Sequence, residues 1–347
     1  MRDKLSVLKE YFGHDSFREG QNRITDSLLG GRDVLGIMPT GAGKSICYQV
    51  PALMFDGITI VVSPLISLMK DQVSALVQSG VAAAYINSSL THAQYLKVLQ
   101  NTESGKYKII YVAPERLCAP AFLGICRNLN ISMVAVDEAH CVSQWGQDFR
   151  PSYLKIPDFI DALNSRPVVG AFTATATGAV RDDIKTLLRL VSPLVVTTGF
   201  DRPNLFFSVM QPKNKSIELM KLIKERKNES GIVYCSTRKA VEEVCELLQK
   251  NGFAATRYHA GLDENERRRN QDDFVYDRAT IMVATNAFGM GIDKSNVSFV
   301  IHYNMPKNME SYYQEAGRAG RDGRSADCIL LYSAKDARTN QILINTS

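Results

Sequence analysis

The 347 residues suit two domains of ordinary size, each able to bury its own core, and a chain with 45% hydrophobic and 22% charged residues reads as a soluble globular protein. The formal charge of +5 is compatible with a polyanionic partner without demanding one. Seven scattered cysteines with no C-x-x-C argue for reduced core thiols over disulfides or zinc, and no run reaches the roughly 18 apolar residues of a membrane span; a cytoplasmic protein with no membrane partner is expected.

After a charged, helix-like start from Met1 to Glu10, short apolar runs alternate with amphipathic stretches. This alternation predicts a parallel sheet flanked by helices. The predicted strands of the first half are Val34 to Ile37, Ile58 to Val62, Ala82 to Ile86, Lys108 to Val112, Ile131 to Val136, Val168 to Phe172 and Leu194 to Thr198. Several are too uniformly apolar to have a wet face. Leu65 to Gln78 has helical spacing.

The first strand runs into Met38-Pro39-Thr40-Gly41-Ala42-Gly43-Lys44-Ser45 and then an apolar helix-like segment, the order of a phosphate loop. Glycines such as Gly41 and Gly43 let backbone N–H groups turn toward phosphates, Lys44 reaches the β and γ oxygens, and Ser45 offers a hydroxyl to magnesium. The strict pattern asks for glycine where this chain has Met38. About ninety residues later Asp137 and Glu138 leave the end of an apolar strand. An acid there can hold Mg2+, and its neighbour can orient or deprotonate the attacking water, so with Lys44 and Ser45 the set for NTP hydrolysis is complete.

Directly after the acids, Trp145, Phe149 and Arg150 supply stacking groups, and Gly146 among Ser143, Gln144, Gln147 and Asp148 argues against a packed strand or helix. Chemistry thus lies on one side of this segment and a nucleic-acid base on the other. Gly199, Pro203 and Pro212 then break the pattern and mark a linker. A second series follows, with predicted strands Leu205 to Met210, Gly231 to Cys235, Ala254 to Tyr258, Thr280 to Ala284, Val297 to His302 and Cys328 to Tyr332, and a helix over Lys239 to Lys250. It has no phosphate loop of its own, which suits a partner lobe. Arg318 and Arg321 stand three apart, on one face if helical, and an arginine delivered to a γ-phosphate stabilises the charge of transfer. The basic run Arg267 to Arg269 reads as a solvated helix face.

These blocks, in this order, carry a resemblance. Asp137-Glu138-Ala139-His140 resembles the DExH box of superfamily 2 helicases, and Phe17-Arg18-Glu19-Gly20-Gln21, Val62 to Gln72 and Tyr111 to Leu117 are similar to blocks of RecQ-family DNA helicases. The match extends from Phe12 to about Tyr332. It implies two tandem RecA-like lobes, residues 1–203 and 204–347, each a mainly parallel sheet flanked by helices, with ATP and Mg2+ in the cleft between them. In the family the loop after the DExH box couples single-stranded DNA to hydrolysis, and Trp145, Phe149 and Arg150 fall on its pattern; Gln147 stands where histidine is common. Thr173, Thr175 and Thr177 resemble motif III, which links the nucleotide and DNA sites. Arg18, Gln21 and Thr40 would join the nucleotide site, Gln21 at the adenine edge, and His14, where the family often has tyrosine, would stack on the base. Asp293 would bind the ribose. Ser236, Thr237, Thr285 and Asn286 would contact the DNA backbone, and the block from Gln314 to Gly323 resembles motif VI, with Gln314, Arg318 and Arg321 in catalysis.

The implied activity is ATP-driven 3′ to 5′ movement on single-stranded and forked DNA, with unwinding in repair and recombination, by a monomer. The family's zinc segment and winged helix are not found before Ser347, so a motor core is expected, either a truncated form or a minimal member. A DEAD-box RNA helicase shares the motor, but its motif VI usually opens with His-Arg where this chain has Gln314-Glu315, and it lacks the aromatic-rich loop. A nucleic-acid-stimulated ATPase with little unwinding would use the same residues. A non-catalytic clamp predicts a degenerate Lys44, Glu138 or Arg321, and none is degenerate.

Overall fold

The computed structural model describes residues 3–146, 148–199, 201–289 and 294–336. The chain divides into two compact units, Met1–Phe200 and Asp201–Ser347. The expected division falls three residues later, after Pro203. The difference has a cause: Arg202 and Asn204 hydrogen-bond to Ala319, Gly320 and Arg324, and so belong with the second unit.

In the first unit the elements run α1 Lys4–Phe12, α2 Gln21–Leu29, β1 Val34–Ile37, α3 Lys44–Met54, β2 Ile58–Val62, α4 Ile66–Gln78, β3 Ala83–Ile86, α5 His92–Glu103 and β4 Ile109–Val112. There follow α6 Pro120–Arg127, β5 Ile131–Val136, α7 Ile156–Asp161, β6 Val168–Thr173, α8 Gly178–Leu187 and β7 Leu194–Thr197. The seven strands form one sheet in the order β3-β4-β2-β5-β6-β1-β7, every pairing parallel. Because side chains alternate across a strand, β2 sends Ile60 and Val62 into a core with Val134 and Val136. It sends Val61 to the other face, with Tyr48, Tyr111, Ala135 and Phe172. Both faces are covered, which is why these strands read as continuous apolar runs. Helix α4 shows the complementary pattern, burying Met69, Val73 and Leu76 at spacings of four and three.

The second unit holds β8 Leu205–Met210, α9 Lys215–Glu225, β9 Ser230–Tyr234, α10 Arg238–Lys250, β10 Ala255–Tyr258 and α11 Glu264–Val275. It continues with β11 Ile281–Ala284, β12 Val297–His302, α12 Met309–Ala316 and β13 Ala326–Leu331. Its six strands are again parallel, in the order β10-β11-β9-β12-β13-β8. Helix α10 buries Val241, Val244, Cys245 and Leu248, one stripe of a helix that Thr237 caps by accepting from Ala240 N. Arg268 and Arg269 lie exposed on α11, as a solvated face requires. All seven cysteines are free thiols, six of them buried. No described helix is long and apolar enough to cross a membrane.

Each sheet contains a crossover: in the first, β1 and β2 are separated by β6 and β5. In open parallel sheets ligands bind beyond the carboxyl ends of the strands at such a point.

Candidate nucleotide and DNA site

Three neighbouring strands of the first sheet, β5, β6 and β1, end side by side and deliver the acid pair, Thr173 and the glycine loop in that order. The loop is anchored to its neighbour, since Met38 N–H donates to the Thr173 carbonyl at 2.9 Å. The Met38 side chain is buried in the core below, while its carbonyl accepts from Lys44 Nζ at 3.1 Å. The departure from the glycine pattern at position 38 therefore costs the loop nothing: only the main chain faces the lysine. Gly43 has a φ of 76°, and a Cβ there would lie 2.6 Å from Gln21 Nε2, so glycine is required both by conformation and by space. Helix α3 begins at Lys44, and the orphan N–H groups of its first turn form the anion-binding end.

Gln21 is almost fully buried beneath this loop. Its Nε2 donates to the carbonyls of Ala42 (3.0 Å) and Gly43 (3.1 Å), and its Oε1 accepts from Arg18 N–H at 2.8 Å. The amide expected at an adenine edge is engaged in holding the phosphate loop. Arg18 adds a bond from Nη1 to the Gly41 carbonyl at 2.7 Å, and His14 lies exposed nearby in sequence. Thr40 is half-buried in the loop itself.

Asp137 is buried, and its carboxyl is pushed up to about 7, first by burial and then by Glu138, with Lys44 pulling it back. Its Oδ1 accepts from Glu138 N–H at 3.0 Å. A buried carboxylate under the influence of Lys44 suits Mg2+, which takes one or two carboxylates and completes its shell with phosphate oxygens and water. Among the described residues no group of three or more His, Cys, Asp or Glu side chains forms a metal cage, in keeping with that donor set.

Glu138 adopts a left-handed backbone, φ 47°, at a cost of about 1–3 kcal/mol for a residue other than glycine. Its Oε2 is buried with no hydrogen-bond partner among the described residues, although His140 Nδ1 lies 3.4 Å away. A carboxylate oxygen left without a donor is open to a water molecule. His140 Nδ1 pairs instead with Thr173 Oγ1 at 2.9 Å, and that hydroxyl gives its one proton to the Thr175 carbonyl at 3.0 Å. Of the three threonines, Thr173 is fully buried in this link, Thr175 contributes its carbonyl, and Thr177 caps α8 by accepting from Val180 N–H.

The segment beyond the acids is a tight loop. Trp145 is 77% exposed and Phe149 half-buried, so the tryptophan serves no core. Gly146 passes so near the His140 carbonyl that a Cβ would sit 2.3 Å from it. Arg150 is held on three sides: its N–H donates to the Cys141 carbonyl (2.8 Å), its Nε and Nη2 grip Asp148 Oδ2, and Nη1 donates to the Pro64 carbonyl at 2.8 Å. Two partners were not legible in the sequence. Ser143, fully buried, accepts from Trp145 N–H and donates to Asp183 Oδ2 of α8 at 2.6 Å. The Tyr153 hydroxyl donates to the Asp137 carbonyl at 2.9 Å, closing the loop back onto the acid pair. Gln147 lies outside the described residues.

In the second unit Ser236, Thr285 and Asn286 gather at the carboxyl ends of β9 and β11. Ser236 and exposed Asn286 line a small cavity with Tyr234, His302 and Glu315, whereas Thr237 caps α10. Thr285 Oγ1 accepts from Ala287 N–H at 3.4 Å. Arg318 and Arg321 are not helical: α12 ends at Ala316 with Gln314 in its last turn, and both arginines stand in the turn that follows. Glycines at 317 and 320, the latter with φ 58°, end the helix there. Arg318 is 4% exposed. Arg202 braces the turn by donating to the carbonyls of Ala319 (3.0 Å) and Gly320 (2.9 Å), and Asn204 adds bonds to Gly320 and Arg324. These braces come from the stretch read as linker. Asp293 lies outside the described residues.

Comparison with known proteins agrees with both halves. The DEAD/DEAH box helicase family matches residues 18–184, and the helicase conserved C-terminal domain matches residues 214–323. Fold and site thus define a two-lobed helicase core with a phosphate loop and acid pair in the first lobe and an arginine turn in the second. The chain is 49% identical over 343 residues to ATP-dependent DNA helicase RecQ of Bacillus subtilis, covering 99% of this chain and 58% of that protein. It is 46% identical to RecQ of Pasteurella multocida, covering 96% of this chain and 52% of that protein. To the probable ATP-dependent DNA helicase RecS of B. subtilis it is 39% identical, with 97% and 68% covered. The chain belongs to the RecQ family of DNA helicases, and spans a little over half the length of its two RecQ relatives. The structure of the DUF1998 helicase MrfA bound to DNA shares the fold, with TM-score 0.79, 20% identity, and 99% of this chain and 54% of that chain covered.

Proposed function

We propose that the chain is the motor of an ATP-dependent DNA helicase, coupling ATP hydrolysis to 3′ to 5′ movement on single-stranded DNA and to separation of forked duplexes in repair and recombination. One observation carries the reading. The acid pair, the threonine strand end and the stacking loop meet in one place: His140, two residues after Glu138, pairs with Thr173, the Tyr153 hydroxyl closes onto the Asp137 carbonyl, and Ser143 holds the Trp145 N–H, so a base on Trp145 acts within a few residues of the acids.

In this reading the first unit binds ATP. The first turn of α3 and Lys44 hold its phosphates, and Glu138 accepts the proton of the attacking water through its unpartnered Oε2. Mg2+ would be held by Ser45 and Asp137 and would neutralise charge on the phosphate oxygens. Arg318 and Arg321 approach the γ-phosphate, with Gln314 beside them; such arginines contribute about 10³–10⁵ in rate. Asp293 binds the ribose and His14 the adenine. Trp145 and Phe149 stack bases without reading sequence, and Ser236, Thr237, Thr285 and Asn286 contact phosphates. The protein acts as a monomer in the cytoplasm, and the direction of movement comes from the family.

The test compares ATP hydrolysis without nucleic acid, with oligo-dT and with oligo-U. Strong stimulation by oligo-dT alone is the expected result. Equal or greater stimulation by oligo-U favours an RNA motor, and no stimulation by either overturns the coupling.

A further inference from the structure

Below the phosphate loop, an apolar core contains a closed polar triangle. Gln49 on α3, one turn after Ser45, turns its Nε2 toward two acceptors, Gln72 Oε1 on α4 at 2.9 Å and the Tyr111 hydroxyl on β4 at 2.9 Å. The third side, from the Tyr111 hydroxyl to Gln72 Oε1, measures 3.5 Å. Gln49 and Tyr111 are buried, and the surrounding residues, Tyr48, Met69, Val73 and Phe172, belong to one hydrophobic cluster. Apolar side chains of equal volume would pack here without having to satisfy an amide, so stability alone does not call for this set.

The triangle stands between two functional elements. Helix α3 begins with Lys44 and Ser45. Helix α4 begins two residues after Pro64, whose carbonyl receives Arg150 Nη1 of the stacking loop. The stacking loop is thus tied to the phosphate-loop helix by a route separate from the acid pair: through Arg150 to Pro64, along α4 to Gln72, and across to Gln49. One amide nitrogen makes both of Gln49's bonds, so a shift of α4 against α3 alters both together.

We propose that Gln49, Gln72 and Tyr111 are positioning residues that form a second coupling path, setting the phosphate-loop helix according to the state of the DNA loop. The proposal rests on the reading of this chain as a DNA-stimulated ATPase. The measurements are the rate of ATP hydrolysis and KM for ATP without DNA, and the stimulation and half-saturating concentration with oligo-dT. Gln72→Leu is expected to leave the DNA-free parameters within about twofold and to cut stimulation about tenfold, the range of coupling changes along such networks. Gln72→Glu, which keeps the acceptor oxygen, restores most of it, and Tyr111→Phe, which removes the hydroxyl's two contacts but leaves the Gln49–Gln72 bond between the helices, loses less. The double variant Gln49→Leu/Gln72→Leu is expected to lose no more than Gln72→Leu, because both interrupt the same Gln49–Gln72 link between α3 and α4. Unchanged stimulation in Gln72→Leu, an equal fall with and without DNA, or losses that multiply in the double variant each overturn the proposal. Should Gln72→Leu fail to fold, Gln72→Glu and Tyr111→Phe decide it: wild-type stimulation and half-saturation in Tyr111→Phe overturns it. Absence of stimulation in the unmodified chain instead overturns the functional reading on which it stands.

Discussion

The two units repeat one architecture and use it oppositely. At the carboxyl strand ends of the first stand a lysine on a glycine loop and a buried aspartate with a half-buried glutamate, followed by an exposed tryptophan. In the second, a histidine at the carboxyl end of β12 pairs with Glu315 at 2.9 Å, and a buried arginine stands in a braced turn at the amino ends of β12 and β13. A parallel sheet supplies a row of strand ends and nothing more. Which chemistry appears there depends on the few residues that follow each strand, so repetition of the fold does not repeat the site.

That contrast can be broken at either end. The largest effect is expected from Lys44→Ala, which removes the phosphate cation of the first unit. ATP turnover should fall to background while binding to a fluorescent oligo-dT stays measurable by anisotropy; normal turnover would remove the first unit from the catalytic site. Trp145→Ala is expected next. With 77% of its surface exposed, the ring contributes little to the core, so the thermal midpoint should hold. Stimulation of hydrolysis by oligo-dT should drop by about tenfold, since stacking contributes about 1–3 kcal/mol per base. Full stimulation in the variant would make the loop merely structural. The smallest effect belongs to the second unit. Arg202→Ala leaves Arg318 and Arg321 in the chain but removes bonds to the Gly317, Ala319 and Gly320 carbonyls of the turn that holds them. A drop of a few-fold in kcat, with KM for ATP little changed, is expected from a loss of about 1 kcal/mol of positioning. An unchanged kcat would mean that Asn204 and the glycines set the turn alone.

The fold was legible because both faces of the central strands of each sheet are buried. Ile58–Val62 is buried throughout and Ile131–Val136 everywhere but at Ser132, and their ends are marked by abrupt changes of composition. The edges were less sharp: Cys328 to Tyr332 was expected and Ala326–Leu331 is observed, because Asp327 can sit in the strand by pairing with Arg226, a contact about a hundred residues distant. The phosphate loop and acids were legible as motifs. Their partners were not, since Ser143–Asp183, Tyr153–Asp137 and Arg150–Pro64 join residues far apart that no local spacing predicts.

Gln21 and the arginine pair show where local reasoning gives out. An amide offers a donor and an acceptor wherever it lies, and only the packing of α2 under the loop commits Gln21 to Ala42, Gly43 and Arg18. Spacing of three suggests one helical face, yet the glycines after Ala316 end the helix first.

The amino-acid sequence by itself determined that this chain makes two parallel sheets, puts a phosphate loop and acid pair in the first, and follows them with an exposed stacking loop. These are local properties: apolar runs, glycines and the order of a few polar residues. Only the tertiary structure decided that Glu138 keeps an oxygen without a hydrogen-bond partner among the described residues, that the His140 ring meets the Thr173 hydroxyl, and that Gln49, Gln72 and Tyr111 come together. Each depends on where distant segments come together, and a hydrogen bond is fixed by distance and direction in space rather than by position along the chain.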